Sequence, residues 1–287
     1  MPAATASVSA SDLDQFRSQG YVLLRGVLPA ELLETAERLC QLWVDDQAKR
    51  WLDDGLITDL KEDLPFDRRF YTLWQDAGQP HHARSPRGEL VRLDAQATFD
   101  MLGHPALLDA AGALLGTDEI VSHGVWNMRP KCPGANFTNT PMHQDAQYFR
   151  DQAGTRVTSA WFPLHAVDIT RSCLEVVPNY NSDHLFEGDQ SSGTGFIGIR
   201  PEDSASMTRV PIAMQPGDLL CFTELTPHGA TPNTTDLMRW SMDMRFVPTA
   251  TAHDDAHKQG FVARSADPER VETYEQWLAK WAGPKPD

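Results

Sequence analysis

The chain is poor in cysteine and in basic residues, and it lacks any long apolar run. Four cysteines among 287 residues, none in a Cys-x-x-Cys pair, exclude a disulfide framework and predict reduced thiols. No apolar stretch approaches the roughly 18 residues of a transmembrane helix, so we expect no membrane span. With 25 Lys and Arg against 40 Asp and Glu, the net charge of -15 argues against nucleic acid or an anionic membrane as the partner.

Targeting signals are also missing from both ends of the sequence. The opening Met1 to Ala10 lacks the basic region and the apolar core of a signal peptide. The closing Pro284 to Asp287 resembles neither a lipid anchor nor a sorting signal. We therefore expect a cytoplasmic protein. Its composition, 41% hydrophobic and 23% charged, is globular and excludes disorder, collagen and coiled coil.

The N-terminus shows a short helix followed by a strand. Residues 11–19 have a helical pattern in which Ser11 is a candidate N-cap, with Asp14 at the capping-box position. Gly20 is a good helix stop. The β-rich run 21–27 then predicts a strand.

A long amphipathic helix is predicted after Pro29. Apolar residues recur at helical spacing there, and the natural interpretation of this stripe is core packing: Leu32, Leu33, Ala36, Leu39, Cys40, Trp43 and Val44. From 45 to 92 the pattern breaks up among charges, prolines and glycines, which predicts irregular structure. A further helix is predicted at 106–115.

The second half of the chain has a different residue pattern. Short apolar runs alternate with Pro, Gly, Asn and Asp, as is typical of an antiparallel sandwich or barrel: 119–129, 143–149, 157–168, 173–178, 209–213, 217–223 and 238–247. An amphipathic helix is predicted at about 269–281. One domain, 1–287, is the simplest organisation: a helical and lid region at about 30–116, a β core at about 119–247 and the C-terminal helix.

A pair of candidate metal ligands opens one of these runs. His143 and Asp145 are two residues apart, so on a strand they point to the same face while Gln144 points away. This His-x-Asp pair is weak by itself because a surface turn would explain it equally well. It needs a third ligand.

His228 is the candidate for that ligand. It follows the turn Pro216-Gly217-Asp218 and a buried run, and so is expected at a strand end. Two histidines and one carboxylate form the facial triad of non-haem Fe(II) oxygenases, which leaves three coordination positions free.

Arg239 lies in the next predicted strand and is expected to face the same cavity. A buried arginine is costly unless an anion pairs with it. The distal carboxylate of 2-oxoglutarate would be such an anion, held by two parallel hydrogen bonds. The competing interpretation is a structural ion pair with one of the 40 acidic residues.

Taken in order, these motifs resemble the phytanoyl-CoA hydroxylase family of Fe(II)/2-oxoglutarate dioxygenases. The resemblance covers most of 11–247, apart from 45–120 and the tail after 248. It rests on the following segments: Phe16 to Gly26, His143-Gln144-Asp145-Ala146-Gln147-Tyr148-Phe149, Ser159-Ala160-Trp161, Ser172 to Pro178, Pro216-Gly217-Asp218, Pro227-His228-Gly229, Pro232-Asn233 and Arg239.

The resemblance implies a double-stranded β-helix, a cupin-like jelly roll flanked by N-terminal helices and a C-terminal helix. It implies His143, Asp145 and His228 as iron ligands, with Fe(II), 2-oxoglutarate and O2 as the reactants. Arg239 would anchor the cosubstrate and Trp161 would form a wall of its site, although core packing is an equal alternative for Trp161.

One departure from the family pattern concerns the cosubstrate site. The hydroxyl that relatives often carry two residues after the distal histidine is replaced by Ala230 here. Thr231 is a candidate substitute.

The resemblance also implies hydroxylation of a small molecule, for which we expect a biosynthetic intermediate or a modified amino acid. Halogenating relatives replace the carboxylate ligand with a small residue, so Asp145 favours hydroxylation. Candidate substrate-lining residues are Tyr148, Trp126, Arg129 and Arg92. The alternatives are an acyl-CoA hydroxylase, demethylation or halogenation within the family, and a cupin-like metal protein that is non-catalytic or uses no 2-oxoacid.

Overall fold

A computed structural model describes residues 8–148, 156–179, 184–190 and 195–282. Within these ranges no helix is both long enough and apolar enough to cross a membrane. All four cysteines are buried and none forms a disulfide.

Helices and strands follow one another in the expected broad order. The helices are α1 Ala10–Gln19, α2 Ala30–Asp53, α3 Phe66–Asp76, α4 Arg87–Leu102, α5 Pro105–Leu115, α6 Pro201–Ser204, α7 Asp254–Lys258 and α8 Tyr274–Trp281. The strands are β1 Tyr21–Leu24, β2 Ile120–Ser122, β3 Asn127–Met128, β4 Thr158–Pro163, β5 Leu174–Val176, β6 Gly188–Asp189, β7 Gly198–Ile199, β8 Val210–Ile212, β9 Leu219–Thr223, β10 His228–Ala230, β11 Ser241–Pro248 and β12 Phe261–Arg264.

The described strands form one large and two small antiparallel sheets. The large sheet has the order β1-β9-β4-β11-β2-β12, and β3 also pairs with β11. A second sheet has the order β10-β5-β8, and β6 pairs with β7. Neighbours in space are distant in sequence, as in a jelly roll. The prediction of a mainly β, jelly-roll fold with flanking helices is confirmed.

The central strands of the large sheet are buried on both faces. All six residues of β4 are buried, as are the first seven of β11. Helix α5 packs against β4 and β11 on one side. Strands covered in this way read as continuous apolar runs rather than alternating ones, which explains why composition located them well.

An aromatic cluster joins the helical layer to the sheet. Trp43 of α2 meets Phe70 of α3 at a ring-centroid distance of 4.8 Å and Trp240 at 6.1 Å. Phe66 stacks on Trp240 at 5.3 Å. Trp240 immediately precedes β11, so the helices are fixed against the strand that carries much of the site.

The prediction of irregular structure from 45 to 92 is wrong. The end of α2, all of α3 and the start of α4 occupy this region. Pro65 and Pro86 lie at the N-caps of α3 and α4. A proline before the first turn removes no intrahelical hydrogen bond, so these prolines are compatible with the two helices.

Three boundaries also differ from the prediction. Ser9 with Asp12, rather than Ser11 with Asp14, forms the capping box of α1. The same spacing occurs twice in the sequence, so the pattern could not choose between the two. The predicted helix 269–281 divides into a 3-10 turn, Pro268–Arg270, and α8. The predicted strand 143–149 is a single bridge at His143 followed by the 3-10 helix Asp145–Gln147, and Phe149 is outside the described residues.

The lid role of the helical region 30–116 stays a prediction. Helices α2 and α4 pack against each other. The segment between α3 and α4 reaches the site through Arg84 and Ser85, and Arg87 follows at the start of α4. The single-domain organisation stays a prediction.

Candidate metal centre and cosubstrate cavity

His143, Asp145 and His228 meet at one end of the small β10-β5-β8 sheet. The two histidines pair through reciprocal backbone hydrogen bonds, His143 N to His228 O at 2.8 Å and His228 N to His143 O at 2.9 Å. Asp145 Oδ1 lies 3.7 Å from His143 Nε2 and 4.0 Å from His228 Nε2. All three side chains are buried, and their candidate ligand atoms lie within 4.8 Å of one another.

The imidazole tautomers suit a metal ion. His143 Nδ1 donates to the Pro141 carbonyl at 2.9 Å, and His228 Nδ1 donates to the Thr226 carbonyl at 3.0 Å. Because a carbonyl can only accept, each Nε2 keeps its lone pair for a ligand. Burial, with the neighbouring His143, lowers the pKa of His228 to about 3, so its imidazole is neutral. This donor set fits Fe(II).

Asp145 is held in its ionised form. Arg245 of β11 donates Nη2 to Oδ1 at 2.9 Å and Nε to Oδ2 at 3.1 Å. Ser159, which lies opposite Arg245 in the β4–β11 register, also donates to Oδ2. Burial alone would raise the pKa of Asp145, but Arg245 and the two imidazoles hold it well below its usual value.

The charge of Arg245 is compensated further by Asp243. Arg245 Nη1 donates to Asp243, and Arg129 Nε donates to the same carboxylate at 2.9 Å. Burial would raise the pKa of Asp243, yet Arg129 and Arg245 lower it to about 2. Around the triad, therefore, the buried arginines and aspartates alternate and are paired with one another.

Arg239 lines the same cavity as His143 and His228. Its Nε donates to the Ser172 carbonyl at 3.1 Å, its Nη1 donates to Ser241 Oγ at 2.5 Å, and its guanidinium lies 5.6 Å from the Trp161 ring centroid. No ion pair among the described residues includes Arg239. Burial, aided by the charge of Arg129, lowers its pKa to about 9.

Lys131 stands beside Arg239 and is not among the residues predicted from the sequence. The two residues form a backbone bridge, and Lys131 Nζ donates to the Thr231 carbonyl at 3.0 Å. The side chain is almost fully buried, and none of the ion pairs in the described ranges contains it. Burial and the charges of Arg239 and Arg129 hold its pKa well below the usual value. Its spacing of two residues from Arg129 is a signal that could have placed both on one face.

One cavity connects the triad with these two cations. Its lining includes two candidate metal ligands, two aromatic residues and two basic residues: His143 and His228, Phe222 and Trp161, and Lys131 and Arg239. The arrangement thus places two cations in the same cavity as the candidate metal ligands, where they could pair with the distal carboxylate of a metal-bound ligand.

Other predicted residues divide into two groups. Tyr148 and Arg129 line the space around His143, and the Tyr148 ring stands edge-on to the His143 imidazole at 5.8 Å. The structure does not bring Trp126 or Arg92 there: Trp126 is fully buried near Trp281, and Arg92 pairs with Asp46 on the surface.

Thr231 does not direct its hydroxyl into the cavity. The hydroxyl donates to the Cys173 carbonyl at 3.3 Å, and Thr231 contributes its own carbonyl to Lys131 and Ser172. Ala230, in contrast, does line the cavity. The substitution expected of Thr231 is therefore not made by its hydroxyl.

The fold and the site define the class of the protein, an Fe(II)/2-oxoglutarate-dependent oxygenase. A family model described as "Phytanoyl-CoA dioxygenase (PhyH)" matches residues 16–241, and the chain belongs to this family. The predicted resemblance is confirmed. The match also runs through 45–120, which the motifs had left out.

Relatives and solved structures agree with this assignment. A "Probable phytanoyl-CoA dioxygenase" of Caenorhabditis elegans is 26% identical over 84% of this chain and 75% of that protein. The "1-deoxypentalenic acid 11-beta-hydroxylase" of Streptomyces arenae is 28% identical over 90% and 86%. The human "Phytanoyl-CoA dioxygenase, peroxisomal" is 25% identical, but the match spans only 50% of this chain and 44% of that enzyme.

The fold itself recurs in structures of low sequence identity. The non-haem monooxygenase ThoJ superposes with a TM-score of 0.60 at 18% identity, covering 91% of this chain and 86% of that one. EvdO2 from Micromonospora carbonacea var. aurantiaca, complexed with 2-oxoglutarate, superposes with a TM-score of 0.54 at 20% identity, covering 95% and 98%.

Proposed function

We propose that this protein hydroxylates an unactivated C–H bond of a small molecule, with His143, Asp145 and His228 as the Fe(II) ligands. The observation that carries the proposal is the convergence of three ligand atoms within 4.8 Å, with both Nδ1 atoms already satisfied by carbonyls. When bound, Fe(II) and 2-oxoglutarate supply the oxidising power, with O2 consumed and succinate and CO2 released.

Arg239 and Lys131 are proposed to bind the distal carboxylate of 2-oxoglutarate. Both are buried cations whose contacts in the described structure are to neutral oxygens. An arriving carboxylate would compensate both charges at once, which favours binding of the dianion. Trp161 limits the cavity on the guanidinium side.

Arg245 and Ser159 are proposed to orient Asp145 through its two oxygens. Asp145 occupies the position that a halide would need, which supports hydroxylation over halogenation. The deoxypentalenic acid hydroxylase and a "Methylphosphonate hydroxylase" of Gimesia maris support a small-molecule substrate, whereas the phytanoyl-CoA dioxygenases among the relatives favour the alternative of an acyl-CoA.

Anaerobic titration tests the proposal. Fe(II) and then 2-oxoglutarate are added to the metal-free protein, and the visible charge-transfer band of the chelated cosubstrate is followed. We expect the band in the wild type and none in His143→Ala. A substrate panel scored by succinate release under O2 then follows. Failure of the wild type to develop the band would contradict the assignment, and substrate turnover that persists in Arg239→Ala without succinate release would favour a metal protein that uses no 2-oxoacid.

A further inference from the structure

The loop that carries two of the candidate metal ligands, 143–148, also holds a distant part of the chain. Gln144 Nε2 donates to the His184 carbonyl at 2.9 Å, and Gln144 Oε1 accepts the N–H of Phe186 at 2.8 Å. Gln147 Nε2 donates to the Phe186 carbonyl at 3.1 Å. Side chains of the loop that are not candidate ligands are therefore used to fix a segment far away in sequence.

Tyr148 makes a further contact of this kind, and both of its hydrogen bonds go to one residue. Its hydroxyl accepts the N–H of Ile197 at 2.8 Å and donates to the Ile197 carbonyl at 3.1 Å. Because Tyr148 is 42% exposed, water could satisfy this hydroxyl equally well. The paired bonds therefore serve to place Ile197 rather than to satisfy a buried phenol.

The same segment is attached to the loop at a second point. Ile199 N donates to the Met142 carbonyl at 2.7 Å, and both side chains belong to one small buried cluster. Gly198 lies against Pro141 so closely that a Cβ there would come within 3.1 Å of the proline ring. Residues 195–199, here called the covering segment, are thus held on either side of His143 in sequence.

Phe196 gives the covering segment a place at the metal centre. It immediately precedes Ile197, is buried, and lines the space around all three candidate metal ligands. The guanidinium of Arg84 lies 4.3 Å from its ring centroid and that of Arg129 lies 5.8 Å from it. An apolar ring therefore stands between these cations and the cavity, and its backbone neighbour is bonded by Tyr148.

We propose that Phe196 is a wall of the cavity that keeps bulk water from the metal centre, and that Tyr148 is the positioning residue that holds this wall in place. Exclusion of water from such a site prevents side reactions. The shielding rests on the proposed function, because it presupposes Fe(II) at the triad, whereas the attachment through Ile197 does not.

Hydrogen exchange tests the attachment in the metal-free protein. Tyr148→Phe keeps the ring beside His143 and removes only the hydroxyl, and Tyr274→Phe, which removes a hydroxyl from α8, is the matched control. We expect the Ile197 amide to exchange roughly tenfold faster in Tyr148→Phe, because its acceptor is lost. Exchange in β4 and β9 should not change. An Ile197 amide that exchanges as in the wild type would overturn the role of Tyr148.

The stability of the cosubstrate complex in air tests the shielding. The charge-transfer band of the Fe(II) and 2-oxoglutarate complex is formed anaerobically, and its decay is then followed in air without substrate. Water that reaches the metal favours the unproductive transfer of one electron from Fe(II) to O2, which gives Fe(III) and superoxide. We expect the band to decay roughly fivefold faster in Tyr148→Phe and at least as fast in Phe196→Ala. Tyr274→Phe should behave like the wild type.

A double variant separates positioning from a general loosening of the structure. If Tyr148 acts through Phe196, then Tyr148→Phe combined with Phe196→Ala should decay no faster than Phe196→Ala alone. Additive effects of the two substitutions would contradict the proposal. If Phe196→Ala does not fold, Phe196→Leu, which keeps an apolar side chain without the ring, takes its place.

The failures of the two proposals are distinguishable. Band decay at the wild-type rate in both single variants would overturn the shielding by Phe196. Absence of the band in the wild type would instead contradict the proposed function, and the exchange of the Ile197 amide would still test the attachment.

Discussion

The two ends of the cavity differ in how their buried charges are compensated. At the metal end, Asp145, Arg245, Asp243 and Arg129 alternate in sign and pair with one another. At the far end, Arg239 and Lys131 stand side by side, and their hydrogen bonds within the described residues go to neutral oxygens. Complete pairing is what a permanent scaffold needs, whereas missing counter-charges indicate where a charged ligand binds.

The largest effect is expected from removing a ligand at the metal end. His143→Ala should abolish succinate formation because two remaining donors cannot hold the iron in a facial arrangement. Succinate release and the anaerobic charge-transfer band measure this. Since His143 also pairs its backbone with His228, circular dichroism must show that the variant remains folded. Full activity in a folded variant would refute the triad.

Breaking the paired network should cost stability. Arg245→Met leaves Asp145 and Asp243 buried without their shared partner, and we expect a loss of about 3–5 kcal/mol in the metal-free protein. Thermal or urea unfolding measures this loss of stability. Arg38→Met, which removes an exposed arginine of α2, is the matched control. An unchanged melting temperature would mean that the network is not a scaffold.

Removing Arg239 should affect cosubstrate binding rather than stability. Arg239→Met removes a buried charge that has no acidic partner in the described structure, so the stability of the metal-free protein should stay the same or rise. The KM for 2-oxoglutarate should increase about 100-fold through loss of the bidentate pair. A large loss of stability without a change in KM would show instead that Arg239 supports the fold and does not bind the cosubstrate.

The smallest of these effects is expected at Lys131, and it depends on pH. Lys131→Met should raise the KM for 2-oxoglutarate about tenfold. Because the folded pKa of Lys131 is lowered, the lysine loses its proton as pH rises through a range below that of a free lysine, and binding of the dianion weakens there.

In Lys131→Met that weakening should begin only where Arg239 titrates, near pH 9. Profiles of kcat/KM for 2-oxoglutarate against pH, in both proteins, measure the difference. Identical profiles would show that the lysine plays no part in binding the cosubstrate.

The sequence predicted the strands better than the helices. Buried strands such as β4 and β9 leave continuous apolar runs, which composition detects. Helix α3 follows a proline and lies among charges, prolines and glycines, so its surroundings predict a loop although Phe66, Phe70 and Trp74 are spaced as on one helical face. β12 joins the edge of the large sheet from the tail, and such non-local pairing leaves little trace in sequence.

The site was predicted in part for similar reasons. His143 and Asp145 could be placed on one face because Gln144 is extended and its side chain is used elsewhere, as a donor to the His184 and Leu225 carbonyls. Lys131 was not predicted. Its spacing from Arg129 indicates a shared face, but its burial without an acidic partner among the described residues is a property of the assembled structure.

The reciprocal hydrogen bonds between His143 and His228 bear on how the chain can change over evolution. They set the separation of the two ligands locally, whatever the length of the polypeptide between them. The cost of closing a longer loop grows only slowly with its length. The segments between the histidines that lie outside the sheets can therefore gain or lose residues, and change the substrate, while the geometry of the metal centre is inherited intact.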